Sequence, residues 1–111
     1  MSQIKPRTLA EQLAVVDQFA NMMKFRLEEN SSKGDWRCCS RFDEYDAIDA
    51  SDRNTTKALQ VILESDVDDK DKGTKELKKA MSQLADAANY IMMAWDFISY
   101  DYNKVLTSKI D

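Results

Sequence analysis

Apolar side chains fall along this chain in two long runs with helical spacing. In the C-terminal half they recur at Leu77, Met81, Leu84, Ala88, Ile91, Trp95, Ile98 and Tyr102, alternating four and three residues apart. That alternation marks one face of an α-helix laid against other helices. It predicts a long final helix that starts at a Thr74 cap, runs to about Tyr102 and frays over Asn103–Asp111. The same spacing at Leu9, Leu13, Val16, Ala20, Met23 and Leu27 predicts a first helix over Leu9–Glu29. Thr8 and Glu11 stand at the separation of a capping box, in which each satisfies a free amide of the other. Asn30 and Gly34 suit the closing turn. Both stripes read as core, and residues 1–7, with Pro6, read as an extended arm.

The middle of the chain is weaker in pattern. Ser40 with Asp43 can cap a brief helix through Phe42, Tyr45 and Ile48, which the polar run Ala50–Asn54 interrupts. Asn54 or Thr55 can then cap a second short helix carrying Leu59, Val61, Ile62 and Leu63 to near Ser65. Residues 66–73 are charged and end in Gly73, which invites a calcium-loop reading. A loop starting at Asp68 would place Lys70 on the third ligand position and Lys79 on the twelfth, so a solvated inter-helix loop is the better expectation. No stretch alternates long enough to predict a strand. The expected fold is all-α: a single domain over 1–111, an antiparallel bundle of two long helices and one or two short ones, completed by oligomerisation, with a tail at 104–111.

Charge and cysteine content narrow the classes. With 111 residues and a net charge of −4, the chain is sized for one domain and has no general attraction for nucleic acid or an anionic membrane. Its lysines at 70, 72, 75, 78 and 79 are interleaved with acids. The two cysteines are the adjacent pair Cys38–Cys39, and histidine is absent, which argues against a disulfide framework, a structural zinc site and thiol catalysis. Neither an apolar leader nor a membrane-length run is present, so a soluble protein of a reducing cytoplasm is expected.

The chemistry lies beside the C-terminal stripe, where Gln83, Asp86 and Asn89 stand three residues apart and so neighbour one another on a helix. Asp86 is either a surface carboxylate paired with Lys78 or Lys79, or part of a site. Asn89 is either a buried amide bonded to a neighbouring helix or a ligand contact. Lys33 reads most simply as a solvated loop lysine, and Trp36 and Trp95 as core or oligomer anchors.

Three segments in order give a further expectation: Phe19–Met23, then Leu27–Trp36 with its Lys-Gly-Asp-Trp, then Leu84–Met93, reading Leu-Ala-Asp-Ala-Ala-Asn-Tyr-Ile-Met-Met. Together they resemble phage-type MazG-like proteins of the all-α nucleoside triphosphate pyrophosphohydrolase superfamily, over about residues 16–96. The resemblance implies antiparallel helices assembled as dimers or tetramers, and Mg²⁺ held by acids of two helices. It also implies cleavage of a nucleoside triphosphate to monophosphate and pyrophosphate. Asp86 would be a metal acid, with Glu44 as a second, and Lys33, Trp36, Asn89 and Tyr90 would meet the nucleotide. This chain departs from the family pattern at its acids. Gln83 stands where a glutamate belongs, and the first Glu-x-x-Glu is missing, with Asp43, Glu44, Asp46 and Asp49 as the available substitutes. Fewer acids mean weaker attraction for Mg²⁺. The expectation is therefore a catalytically impaired relative that binds a nucleotide or a partner protein, a host protein if the chain is phage-encoded. An active Mg²⁺-dependent pyrophosphohydrolase is the alternative.

Overall fold

A computed structural model describes residues 5–31, 34–38, 41–65 and 70–110. Three α-helices make up nearly all of it: α1 (Leu9–Glu29), α2 (Glu44–Glu64) and α3 (Lys70–Ile110), with a 3₁₀ turn at Trp36–Cys38 between the first two. The all-α expectation holds, with no strand among the described residues. No helix among the described residues is long and apolar enough to cross a membrane.

The predicted start of α1 is met in detail. Glu11 donates its backbone N–H to Thr8 Oγ1, Thr8 donates its own to Glu11 Oε1, both at 3.1 Å, and the backbone N–H of Asn30 closes the far end on Arg26 and Leu27. Those bonds hold the Glu11 carboxyl below its ordinary range, the backbone amide of Thr8 being the main cause.

The interruption expected at Ala50–Asn54 does not occur; α2 is one continuous helix. Polar residues break helices by offering the backbone other partners, but here those side chains bond back along the helix. Asn54 Nδ2 donates to the Ala50 carbonyl at 2.9 Å, Thr55 Oγ1 to Ser51 at 2.9 Å and Thr56 Oγ1 to Asp52 at 3.0 Å. Arg53 pairs with Asp49 one turn before it at 2.6 Å. The cap is Asp43, which forms its box with Asp46; Ser40 lies outside the described residues. The start of α3 also differs. It begins at Lys70, leaving Thr74 inside the helix, and instead of fraying it runs to Ile110. Asp66–Asp69 of the predicted loop lie outside the described residues.

The larger correction concerns the core. The C-terminal stripe predicted to be buried faces outward: Trp95 is 68% exposed, and Leu77, Met81, Leu84, Ile91, Ile98 and Tyr102 are exposed with it. What is buried is small. Ala47, Ala50, Ser51 and Ala58 of α2 are buried, and so are Gly73, Ala80, Ala87 and Ala94 of α3, the last four spaced seven apart. Small side chains let two helix backbones approach closely, and α2 and α3 form much the most extensive packing in the chain. Helix α1 meets only α3 to any extent and buries no side chain fully, with Leu9 69% exposed. The radius of gyration is 18.0 Å, against about 13 Å for a compact chain of this length.

Because Ala47 has no accessible surface, a larger side chain there forces the helices apart. Ala47→Leu is expected to lower the unfolding free energy by about 1–3 kcal/mol, read from urea denaturation. An unchanged midpoint would show that Ala47 is not a tight packing position.

Candidate functional site

A cleft of about 710 Å³ opens where the C-terminal end of α1, the connector after it and the middle of α3 converge. Its walls include Arg26, Trp36, Phe42, Asp86, Asn89 and Tyr90. Its size falls within the usual range for small-molecule sites. The sequence-predicted residues Trp36, Asp86, Asn89 and Tyr90 are thus brought together. Glu44 is not among the residues lining the cleft, and Lys33 lies outside the described residues, although Ser31 and Gly34 on either side of it line the wall. Gly34 has φ +82°, a left-handed conformation that favours glycine, so the turn that brings the chain from α1 to Trp36 depends on this residue.

The aromatic wall is held from α3. Asp96 Oδ2 accepts from Trp36 Nε1 at 3.1 Å and pairs with Arg37 Nε at 3.0 Å, which anchors the 3₁₀ turn. Trp36 is half-buried. The Phe42 ring, also lining the cleft, lies 6.4 Å from Tyr90 and 6.1 Å from Phe97, both tilted by about 50°, a favourable aromatic arrangement.

Asp86 is paired across the bundle, not with a lysine of its own helix. Arg26 Nε donates to its Oδ1 at 2.9 Å and Arg26 Nη2 to its Oδ2 at 2.8 Å, a two-pronged pair. The third guanidinium nitrogen, Nη1, reaches Glu29 at 3.2 Å. The hydrogen bonds that Arg26 donates to Asp86 push its already high pKa further up, so the cation persists across the accessible pH range. Asn89 is 4% exposed and donates through Nδ2 to the Met23 carbonyl at 2.9 Å. It is therefore the buried interhelical amide that was one of its two expected roles. Its Oδ1, also buried, accepts nothing from the described residues, and the same is true of Gln83 Oε1. A buried acceptor without a donor costs about 1–3 kcal/mol, so the Asn89 oxygen is the part of the cleft wall that most needs a partner.

The donor set does not fit Mg²⁺. This cation needs several carboxylate oxygens converging at short range, and both oxygens of Asp86 are already engaged by Arg26. Asp43 and Asp46 cap α2 through each other's backbone amides, and Asp49 pairs with Arg53. Among the described residues no group of three or more acids, cysteines or histidines could hold a metal ion.

Two residues that shape the cleft escaped sequence reasoning, Arg26 through its pair with Asp86 and Asp96 through its bonds to Trp36 and Arg37. Arg26 carried no local signal, because its partner Asp86 lies sixty residues further along the chain. Asp96 continues the polar line of Asp86 and Asn89 two turns further along α3. In comparisons with known proteins, no family model, no curated protein and no solved structure matches the chain.

A double-mutant cycle measures the interhelical pair. Arg26→Ala and Asp86→Ala should each destabilise the fold, with a coupling energy of about 1.5–3 kcal/mol, as hydrogen-bonded charges give. Strict additivity in urea unfolding would mean that the pair does not hold α1 in place.

Proposed function

We propose that this chain is a MazG-like nucleotide-binding protein whose cleft binds without metal-dependent hydrolysis. The observation that carries the proposal is the conjunction, in one cleft, of a three-ring aromatic wall and the buried, unpartnered Oδ1 of Asn89. A nucleobase presents an apolar face suited to Trp36, Phe42 and Tyr90, and on its edge an N–H that Asn89 Oδ1 can accept. Stacking of a base on an aromatic ring contributes about 1–3 kcal/mol. The phosphates would extend toward the connector, where Lys33 stands in sequence between two wall residues. Arg26 has all three of its nitrogens engaged, so it positions Asp86 rather than meeting the phosphates.

Loss of hydrolysis rests on the acids. Asp86 is neutralised by Arg26, Gln83 replaces a glutamate of the family pattern, Asp43 and Asp46 form the cap of α2, and Asp49 is held in a surface pair. Without a converging carboxylate set there is no means to concentrate Mg²⁺ on a triphosphate or to activate water against it.

A thermal-shift series with a panel of ribo- and deoxynucleoside triphosphates tests this. At least one nucleotide should raise the melting temperature equally with and without Mg²⁺, with no pyrophosphate released. Trp36→Ala should weaken that binding by about tenfold or more, corresponding to loss of one stacking partner. No shift with any nucleotide at millimolar concentration would refute the binding role. Pyrophosphate release that Asp86→Ala abolishes would restore the active pyrophosphohydrolase.

A further inference from the structure

The polar groups on the cleft wall are unequal in kind. Three asparagines line it, and the amide nitrogen of each is tied to a backbone carbonyl. Asn30 donates to Arg26 at 2.8 Å, Asn54 to Ala50 at 2.9 Å and Asn89 to Met23 at 2.9 Å. The end of each amide left to meet a ligand is its oxygen, which can only accept. The strongest donors of the wall are already committed. Arg26 gives its nitrogens to Asp86 and Glu29, and Trp36 gives Nε1 to Asp96. The hydroxyls of Ser31 and Tyr90 can donate, and each can also accept. Acceptors therefore outweigh donors. Asn89 is the most buried of the three asparagines, and its oxygen has no partner among the described residues.

We infer that the cleft selects guanine among the bases, an inference that rests on the nucleotide binding proposed for it. Asn89 Oδ1 accepts the ring N1–H, and Asn54 Oδ1 accepts the exocyclic 2-amine. Asn54 takes this part rather than Asn30 because it is half-buried while Asn30 is exposed, so less water competes for its oxygen. The edges of the bases decide the order. Guanine carries two adjacent donors followed by one carbonyl, which a hydroxyl of Ser31 or Tyr90 can meet. Adenine and cytosine carry one amine beside a ring nitrogen that itself accepts. Uracil and thymine carry one N–H flanked on both sides by carbonyls. Against this wall those carbonyls would face acceptor oxygens with no proton between them. An unmet polar group in a buried site costs more than a made bond contributes, so the mismatch is a strong ground for rejection.

Isothermal titration calorimetry of the full chain with GTP, ITP and UTP, without Mg²⁺, tests the inference. The three share ribose and triphosphate, so differences between them belong to the base, and ITP lacks only the 2-amine of GTP. GTP should bind about tenfold tighter than ITP, one bond to the wall being lost. UTP should bind weakest, about a hundredfold below GTP. Asn54→Ala should bring GTP to within about twofold of ITP and leave ITP unchanged. The Asn54 amide bonds along its own helix, where alanine is the better helix former, so helicity by circular dichroism should be retained. ITP or UTP binding as tightly as GTP overturns the inference while nucleotide binding itself stands. A gap between GTP and ITP that Asn54→Ala leaves unchanged also overturns it, by removing Asn54 from the recognition of the base. Binding of none of the three refutes the nucleotide-binding role, and the choice of base falls with it.

Discussion

The pairing of Arg26 with both carboxylate oxygens of Asp86 fixes more of this molecule than any other interaction. Helix α1 buries no side chain fully, so apolar packing alone gives it little reason to sit where it does. Two polar links set its place on α3, the Arg26–Asp86 pair and the bond from Asn89 to the Met23 carbonyl, across sixty and sixty-six residues of chain. Because α1 ends where those links are, the connector leaves from the rim of the cleft and delivers Trp36 to its wall. The same pair decides the electrostatics. A carboxylate that is doubly bonded to a guanidinium is already compensated, and displacing the arginine would leave two partly buried charges unpaired.

A second constraint comes from the seam between α2 and α3. Alanine and glycine at that seam bring the two helices close, and the large apolar side chains of α3 are thereby left on a different face. Cleft and apolar stripe occupy opposite sides of one helix. With an 18.0 Å radius of gyration, the chain buries little of its apolar surface on its own.

These two constraints also explain which parts were legible in the sequence. The start of α1 was readable because Thr8 and Glu11 signal a cap through local chemistry alone. The break expected at Ala50–Asn54 was not real, since serine, threonine and asparagine support or oppose a helix according to where their side chains bond. Here they bond to carbonyls four residues back, which composition does not reveal. The apolar stripe was correctly seen as helical but wrongly placed inside. Periodicity identifies a face that wants a partner, without saying whether the partner belongs to the same chain. Gly73, Ala80, Ala87 and Ala94 carried the missing information in their sevenfold spacing, a quieter signal than leucine or tryptophan. At the site, the cluster of Trp36, Asp86, Asn89 and Tyr90 could be anticipated because three of the four lie within two turns of one helix. Arg26 could not, because a contact across sixty residues has no local signature.

The central claim is that Asp86 is committed to Arg26 and does not serve a metal, and a Mn²⁺ titration followed by electron paramagnetic resonance tests it most directly. The account predicts that wild-type protein leaves the free-ion signal undiminished up to millimolar Mn²⁺, and that Asp86→Asn behaves identically. A sub-millimolar site in the wild type that Asp86→Asn abolishes would contradict it.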